Sequence, residues 1–173
     1  MNYKKIELKK IDIRHITKKY LNWMNDWEVV KYTEQKYKKT TYNDIKKYII
    51  NTNKSKNNFI FGIFVDKIHI GNIKISSINF NHKTAEIAYI IGDKSFWNKG
   101  IGSKAISIIL KIAKKKYKIK KVLAGVYCLN KSSISVLIKN GFKREAVFKS
   151  QVAFKGKRIS SYIYGYVVKW QVE

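Results

Sequence analysis

A chain of 173 residues suits one domain, expected here to span residues 1–173, and at this size about 70% of the unfolded surface is buried on folding. Hydrophobic residues make up 45% of it, yet no stretch approaches the roughly 20 apolar residues of a membrane span, which argues against membrane insertion. The net charge is +26, but 34 of the 37 basic residues are Lys and only three are Arg (Arg14, Arg144, Arg158), spread along the whole chain. Base readout leans on bidentate Arg, so the charge points to solvated surface that would also attract a polyanionic ligand, and argues against a nucleic-acid partner.

In chain order, "MNYKKIELKKIDIRHI" alternates charged and apolar residues and does not read as a signal peptide. Residues 6–11 predict an edge strand. Helical spacing at Ile16, Tyr20, Trp23, Met24 and Trp27 predicts one helix over that segment. "TTYNDIKKYIINT" opens with Thr41 and places Asp44 three residues on, a variant capping box, with Ile45, Tyr48 and Ile49 as its stripe. Residues 58–65 and 67–78 are β-rich runs joined by "DK", a hairpin signal. Residues 84–92 predict a third strand in which Glu86 stands alone among apolar neighbours. A helix follows from 101 to 116, with Ile101, Ala105, Ile108, Ile109, Ile112 and Ala113 on one face and Lys104, Lys111, Lys114, Lys115 and Lys118 facing water. "KVLAGVYCLN" reads as a strand buried on both faces. "KSSISVLIKNGF" is a short helix closed by Gly141, and the tail to Trp170 is two strands around "KGKR" (155–158). The order predicts an α+β fold with a mixed sheet, in which strand 84–92, helix 101–116 and strand 121–128 form a crossover that makes the two strands parallel.

Strand, short turn, glycines, helix: "FWNKGIGSKA" places bare backbone at a helix start. The first N–H groups of a helix lack internal partners and sit at the positive end of its dipole. Gly100 and Gly102 let a ligand approach, and Lys99 and the Ser103 hydroxyl add donors, a composition suited to phosphate. It is neither a P-loop nor a dinucleotide glycine fingerprint, and a turn before a core helix explains it as well.

A second stretch, "NKSSISVLIKNGFKREA", begins at Asn130 after the next strand. Together, "FWNKGIG" and N-x-x-S-x-x-V-L-x-K-x-G-F-x-x-E resemble the GNAT N-acetyltransferases, in their RimJ/RimL-like branch, over nearly the whole chain. The resemblance implies a mostly antiparallel mixed sheet of about seven strands with flanking helices and a splayed parallel pair that forms an acetyl-CoA cleft. It also implies acetyl-CoA as co-substrate, with its diphosphate on Lys99, Gly100, Ile101, Gly102 and Ser103. The pantetheine arm would lie against Tyr89, Ile90 and Ile91, where a main-chain N–H near a strand bulge would serve the thioester oxygen. Asn130 and Ser133 match positions that contact the carrier, although Asn130 could simply cap its helix. The family's tyrosine acid has no counterpart, because Leu137 stands at that position. Trp97 replaces the Gln or Arg that often begins the glycine motif.

Glu86, alone in an apolar strand running into the cleft, is the candidate base; an ion pair with Lys74 is the plainer alternative. His82, in the loop before that strand, could assist proton transfer or lie on the surface. The acceptor side is expected from the first helices, with Trp23, Asn25, Tyr32, Glu34 and His82 as candidate contacts and Trp23 also a candidate for packing. "W-x-N-D" at 23–26, "HIGNIKI" at 69–75 and "IGDKSFW" at 91–97 resemble the subgroup of surface-polysaccharide biosynthesis, implying a nucleotide-linked amino sugar as the amine. An α-amine at a protein N-terminus is the alternative, and a non-catalytic module binding CoA or nucleic acid a third. One cysteine, Cys128, excludes an internal disulfide framework and fits a cytoplasmic location. Three scattered histidines offer no metal spacing. Tyr162, Tyr164 and Tyr166 are candidates for core or for a homodimer surface.

Overall fold

The computed structural model describes residues 5–168, so Trp170 of the expected last strand lies outside the described residues. Seven strands form one sheet: β1 (Ile6–Lys10), β2 (Phe59–Val65), β3 (Ile68–Asn79), β4 (Thr84–Ile91), β5 (Lys121–Tyr127), β6 (Lys143–Phe154) and β7 (Lys157–Val167). Their order is β1-β2-β3-β4-β5-β7-β6. Every neighbouring pair is antiparallel except β4 and β5, as the strand–helix–strand unit requires. Two hairpins are set by their turns. Asp66 and Lys67 have φ of 46° and 72°, and Lys155 and Gly156 have 49° and 74°. Two successive left-handed residues match the twist of antiparallel strands.

Helices cover both faces. On one lies α4 (Ile101–Tyr117), whose buried stripe is Ile101, Ala105, Ile106, Ile109, Leu110 and Ala113. It packs with Phe61, Ile63, Val65, Ile73, Ile75, Ala85 and Ile87 of the strands and with Leu137 of α5 (Lys131–Lys139). The expected stripe turns by one position: Ile108 and Ile112 are half-buried, and Ile106 and Leu110 go to the core. On the other face, Ile60 and Phe64 meet α1 (Lys18–Asn25), α2 (Trp27–Val30) and α3 (Tyr42–Lys54) through Tyr20, Trp23, Val29, Val30, Ile45 and Ile49. Residues 60 and 64 face one way and 61, 63 and 65 the other, the period of a pleated strand.

Three expectations are corrected. The helix over 16–27 is two helices, because Asp26 ends α1 with extended backbone and caps α2, its carboxylate accepting from the Glu28 N–H. Trp27 is therefore exposed. Tyr48 of the α3 stripe is also exposed, although the Thr41–Asp44 capping box forms as expected. β5 is not buried on both faces: Val122, Ala124 and Val126 are buried, while Gly125 is exposed. The reason lies in the cleft that opens beside it.

Candidate functional site

The parallel pair is short. Thr84, Ala85 and Glu86 pair with Lys121, Val122 and Leu123, and there the ladder stops. β4 continues to Ile91 with its other edge still paired to β3, residue for residue, from Glu86–Ser76 to Ile91–Gly71. Past Glu86 the outer edge of β4 thus faces a gap instead of a strand. The gap is a cleft of about 1130 Å³ lined by Tyr89–Ile91, Asn98–Gly102, Ala124–Tyr127, Asn130 and Ser133. The bulge expected near 89–91 is absent there; the register shift in this pair falls on β3 between Ser76 and Asn79, where Ser77 has φ of 52°.

The glycines close one end of the cleft. Gly100 is the residue before α4, in the left-handed region at φ 73°, with no side-chain hydrogen bond capping the helix. A Cβ there would meet nothing within 4 Å, so conformation and not crowding favours glycine at 100. A Cβ on Gly102 would lie 3.1 Å from the Tyr89 ring. The opening amides of α4 are therefore uncapped, dipole-positive and open to the cleft. The Trp97 indole N–H donates to the Ile91 carbonyl at 2.8 Å and so ties the loop to the end of β4. Sequence reasoning counted Trp97 only as a departure from the family pattern.

Tyr89 links the two helix starts. Its hydroxyl accepts from the Ser133 Oγ–H at 3.0 Å, while its ring lies under Gly102. Burial pushes its phenol pKa up. Asn130 caps α5, its side chain accepting from the Ser133 N–H at 3.2 Å, and it also lines the cleft. Ser103 does not line it; its hydroxyl accepts from Asn140 Nδ2 at 2.9 Å. Leu137 is buried in the core.

On the far side, the residues expected at the acceptor end separate into two groups. Tyr32 and Glu34 line the cleft and also an adjoining cavity of about 540 Å³. Glu34 accepts a hydrogen bond from the Tyr127 hydroxyl, at the junction of the two spaces. Burial, with the Glu34 carboxylate beside it, pushes the Tyr127 phenol well above its usual value. Tyr127 was missed, although alternation from buried Ala124 and Val126 would have placed it with Gly125 on the open face. Neither Trp23 nor Asn25 lines either space. Trp23 is 5% exposed and packs against Tyr20 and His69. Asn25 ties α1 to the strap before α3, donating to the Leu21 and Thr40 carbonyls at 3.0 and 2.9 Å and accepting from the Thr40 N–H. His82 is exposed, away from both spaces.

Glu86 also departs from expectation. It is exposed, lines neither cavity, and forms no ion pair with Lys74. Its strand pairs with β5 at that point, so the cleft opens one residue later, at Ile87. The carboxylates that do line the cleft are Glu28, Glu34 and Asp44. Glu28 is paired with Lys31 at 2.6 Å, and Asp44 belongs to the α3 capping box. Lys74, half-buried on β3 opposite Ala88, lines the cleft and makes no ion pair among the described residues. Among the described residues, no group of three His, Cys, Asp or Glu could hold a metal ion, and no helix is long and apolar enough to cross a membrane.

A family model described as an acetyltransferase (GNAT) domain matches residues 5–143. Among solved structures, the chain is similar to spermidine N-acetyltransferase from Vibrio cholerae, solved with CoA and spermine, at 18% identity, covering 94% of this chain and 95% of that one with a TM-score of 0.82. An acetyltransferase from Salmonella typhimurium that modifies the N-terminal serine of ribosomal protein L7/L12 matches at 19% identity, 96% of each chain and a TM-score of 0.82. The microcin C7 self-immunity acetyltransferase MccE, solved with acetyl-CoA and AMP, matches at 22% identity, 95% and 93% coverage and a TM-score of 0.81. At these identities the likeness is one of fold.

Proposed function

The chain belongs to the acetyltransferase (GNAT) domain family, and from that premise we propose that it transfers acetyl from acetyl-CoA directly to the primary amine of a nucleotide-linked amino sugar, with residues 1–173 acting as one catalytic domain and no metal. Bound in the cleft, acetyl-CoA supplies a thioester that an amine attacks and a thiolate that leaves at a thiol pKa of about 8.5. The observation that carries the co-substrate assignment is the one-sided edge of β4. Its outward main-chain groups at Tyr89–Ile91, apart from the Ile91 carbonyl that Trp97 holds, receive amide groups as an added strand would. The uncapped amides at Ile101, Gly102 and Ser103, with Lys99 beside them, hold the diphosphate. Asn130 and Ser133 flank the carrier from α5. A main-chain N–H of the Tyr89–Ile91 segment stabilises the charge that develops on the thioester oxygen.

The acceptor must be neutral to attack. At pH 7 this costs about 1 kcal/mol for an amine of pKa near 7.7–8, against roughly 4–5 kcal/mol for a lysine-like amine. A modest base is therefore enough, and we assign that role to Glu34. It is the cleft carboxylate at the junction with the adjoining cavity, accepting from the Tyr127 hydroxyl at the end of β5, whereas Asp44 is held by Thr41 in the α3 capping box and Glu86 lies below the opening. Lys74 supports an anionic acceptor by its unpaired charge, and Tyr32 offers a flat ring at the same end, stacked on Phe154 with centroids 5.6 Å apart. A nucleotide beside acetyl-CoA has a counterpart in MccE, whose structure holds AMP.

The test is thiol release from acetyl-CoA with UDP- and dTDP-amino sugars set against peptides with free N-termini. Turnover of a nucleotide sugar is the expected result. Turnover of peptides alone overturns the acceptor assignment and leaves N-terminal acetylation in its place.

A further inference from the structure

Asn72 is a polar side chain that the chemistry above does not use. It lies on β3 opposite Ile90, is 6% exposed and lines the cleft on the side of α1 and α3. Its Oδ1 meets His69 Nε2 at 3.0 Å, and its Nδ2 has no partner. A β-bulge makes this pair. The β2–β3 register slips at Ile63/Phe64, so that Gly71 pairs with Ile63 and His69 with Phe64, leaving Ile70 extra. Without the slip, residues three apart on a strand point to opposite faces.

The amide oxygen, and not the NH₂, is the Asn72 atom placed against the ring. His69 is held by Phe64, Trp23 and Tyr20 at centroid distances of 5.0, 5.3 and 5.7 Å. Burial, opposed by hydrogen bonding to Asn72 and to the Gly71 main chain and aided by the neighbouring His15 and Lys19, keeps the imidazole pKa below its usual value. A neutral ring that contacts the amide oxygen donates through its Nε2–H, which turns the Asn72 NH₂ away from His69. An amide donor buried without a partner is costly, and the residue that carries it lines the cleft.

We infer that Asn72 is a specificity residue whose side-chain N–H donates to an oxygen carried close to the reacting amine of the acceptor. The inference rests on the acceptor cleft proposed above and narrows its substrate class to amines bearing a hydroxyl or carbonyl near the nitrogen. Such an oxygen satisfies the donor; a purely hydrocarbon amine leaves it unpaired.

The test pairs two enzymes with two acceptors. Wild type and Asn72→Ala are assayed with a dTDP-4-amino-4,6-dideoxyhexose and with its analogue lacking the 3-hydroxyl. The substitution is expected to lower kcat/KM for the hydroxylated sugar about 10- to 100-fold, and that for the deoxy analogue by no more than about 2-fold. Asn72→Asp keeps the shape and the His69 contact but removes the donor, and it should show the same split. Affinity for acetyl-CoA, read by calorimetry, should be unchanged in both variants. Equal losses on the two sugars, no loss on either, or weakened acetyl-CoA binding overturns the inference. If wild type turns over no nucleotide sugar, the acceptor proposal fails by itself, and the same comparison is made with peptides beginning in Ser or Ala. Turnover of spermidine, which has no oxygen, as fast as any oxygen-bearing amine overturns the role of Asn72 directly.

Discussion

At one end of the cleft the groups that face it belong to the main chain: the open edge of β4 at Tyr89–Ile91 and the uncapped start of α4 at Ile101 and Gly102. At the other end they are side chains from separate segments, Tyr32 and Glu34 before α3, Asn72 and Lys74 on β3, and Tyr127 at the end of β5. Under the proposed function, the first end recognises features that any carrier of the same backbone shares. The second is free to change its ligand by substitution without disturbing the ladder or the helix that hold the first. Main-chain donors come with the fold, while side-chain donors are chosen position by position.

Substitutions separate the two ends. The largest effect is expected from Gly102→Trp, because a Cβ there already crowds Tyr89 and the indole would fill the approach to the α4 amides. Losing two or more charge-assisted hydrogen bonds should weaken acetyl-CoA binding by at least about 1000-fold, read by calorimetry on protein that still melts cooperatively; retained affinity would break the assignment of the main-chain end. Next is Glu34→Gln, expected to lower kcat about 100-fold with acetyl-CoA affinity intact, while Glu86→Gln stays within about 3-fold of wild type. A reversal of that order would return the base to β4. Lys74→Ala should raise KM for a nucleotide acceptor about 5- to 10-fold, and less at high salt, since a single charge at a wet cleft is partly screened. A peptide acceptor should show no such dependence.

The smallest effect concerns stability in acid, and it sharpens the comparison by placing the weak point at the side-chain end. Burial lowers the His69 pKa, so below about 6.5 the unfolded chain takes up a proton that the folded chain does not. The stability contribution is complete above that pH and falls as the pH drops toward the folded value. Melting temperature should decline between pH 7.5 and 5.5 by a few degrees, and His69→Gln should flatten that part of the curve.

Much of the architecture was legible because it depends on short-range signals. The Asp66–Lys67 turn, the Thr41–Asp44 box, the period of the β2–β4 strands and the glycines before α4 are each local, and each reappears in the structure. Errors arose where a local pattern met tertiary competition. Trp23 and Trp27 share helical spacing, but Asp26 interrupts the helix by capping the next one, so one ring is buried and the other exposed. Glu86 looked costly inside an apolar strand, yet the face it occupies is open where β4 still pairs with β5. Asn25 has the composition of a ligand contact and serves as a tie to Thr40.

The amino-acid order alone determined the succession of elements from α3 onward, the parallel pair implied by the crossover and the bare backbone at residues 100–102, because alternation, capping and glycine conformation act over a few residues. Only the tertiary structure decided where β4 and β5 part, that a bulge at Ile70 brings His69 and Asn72 to one face, and that Glu34 reaches Tyr127 from 93 positions away. Those placements depend on how separate segments pack against a common sheet, and no local period encodes them.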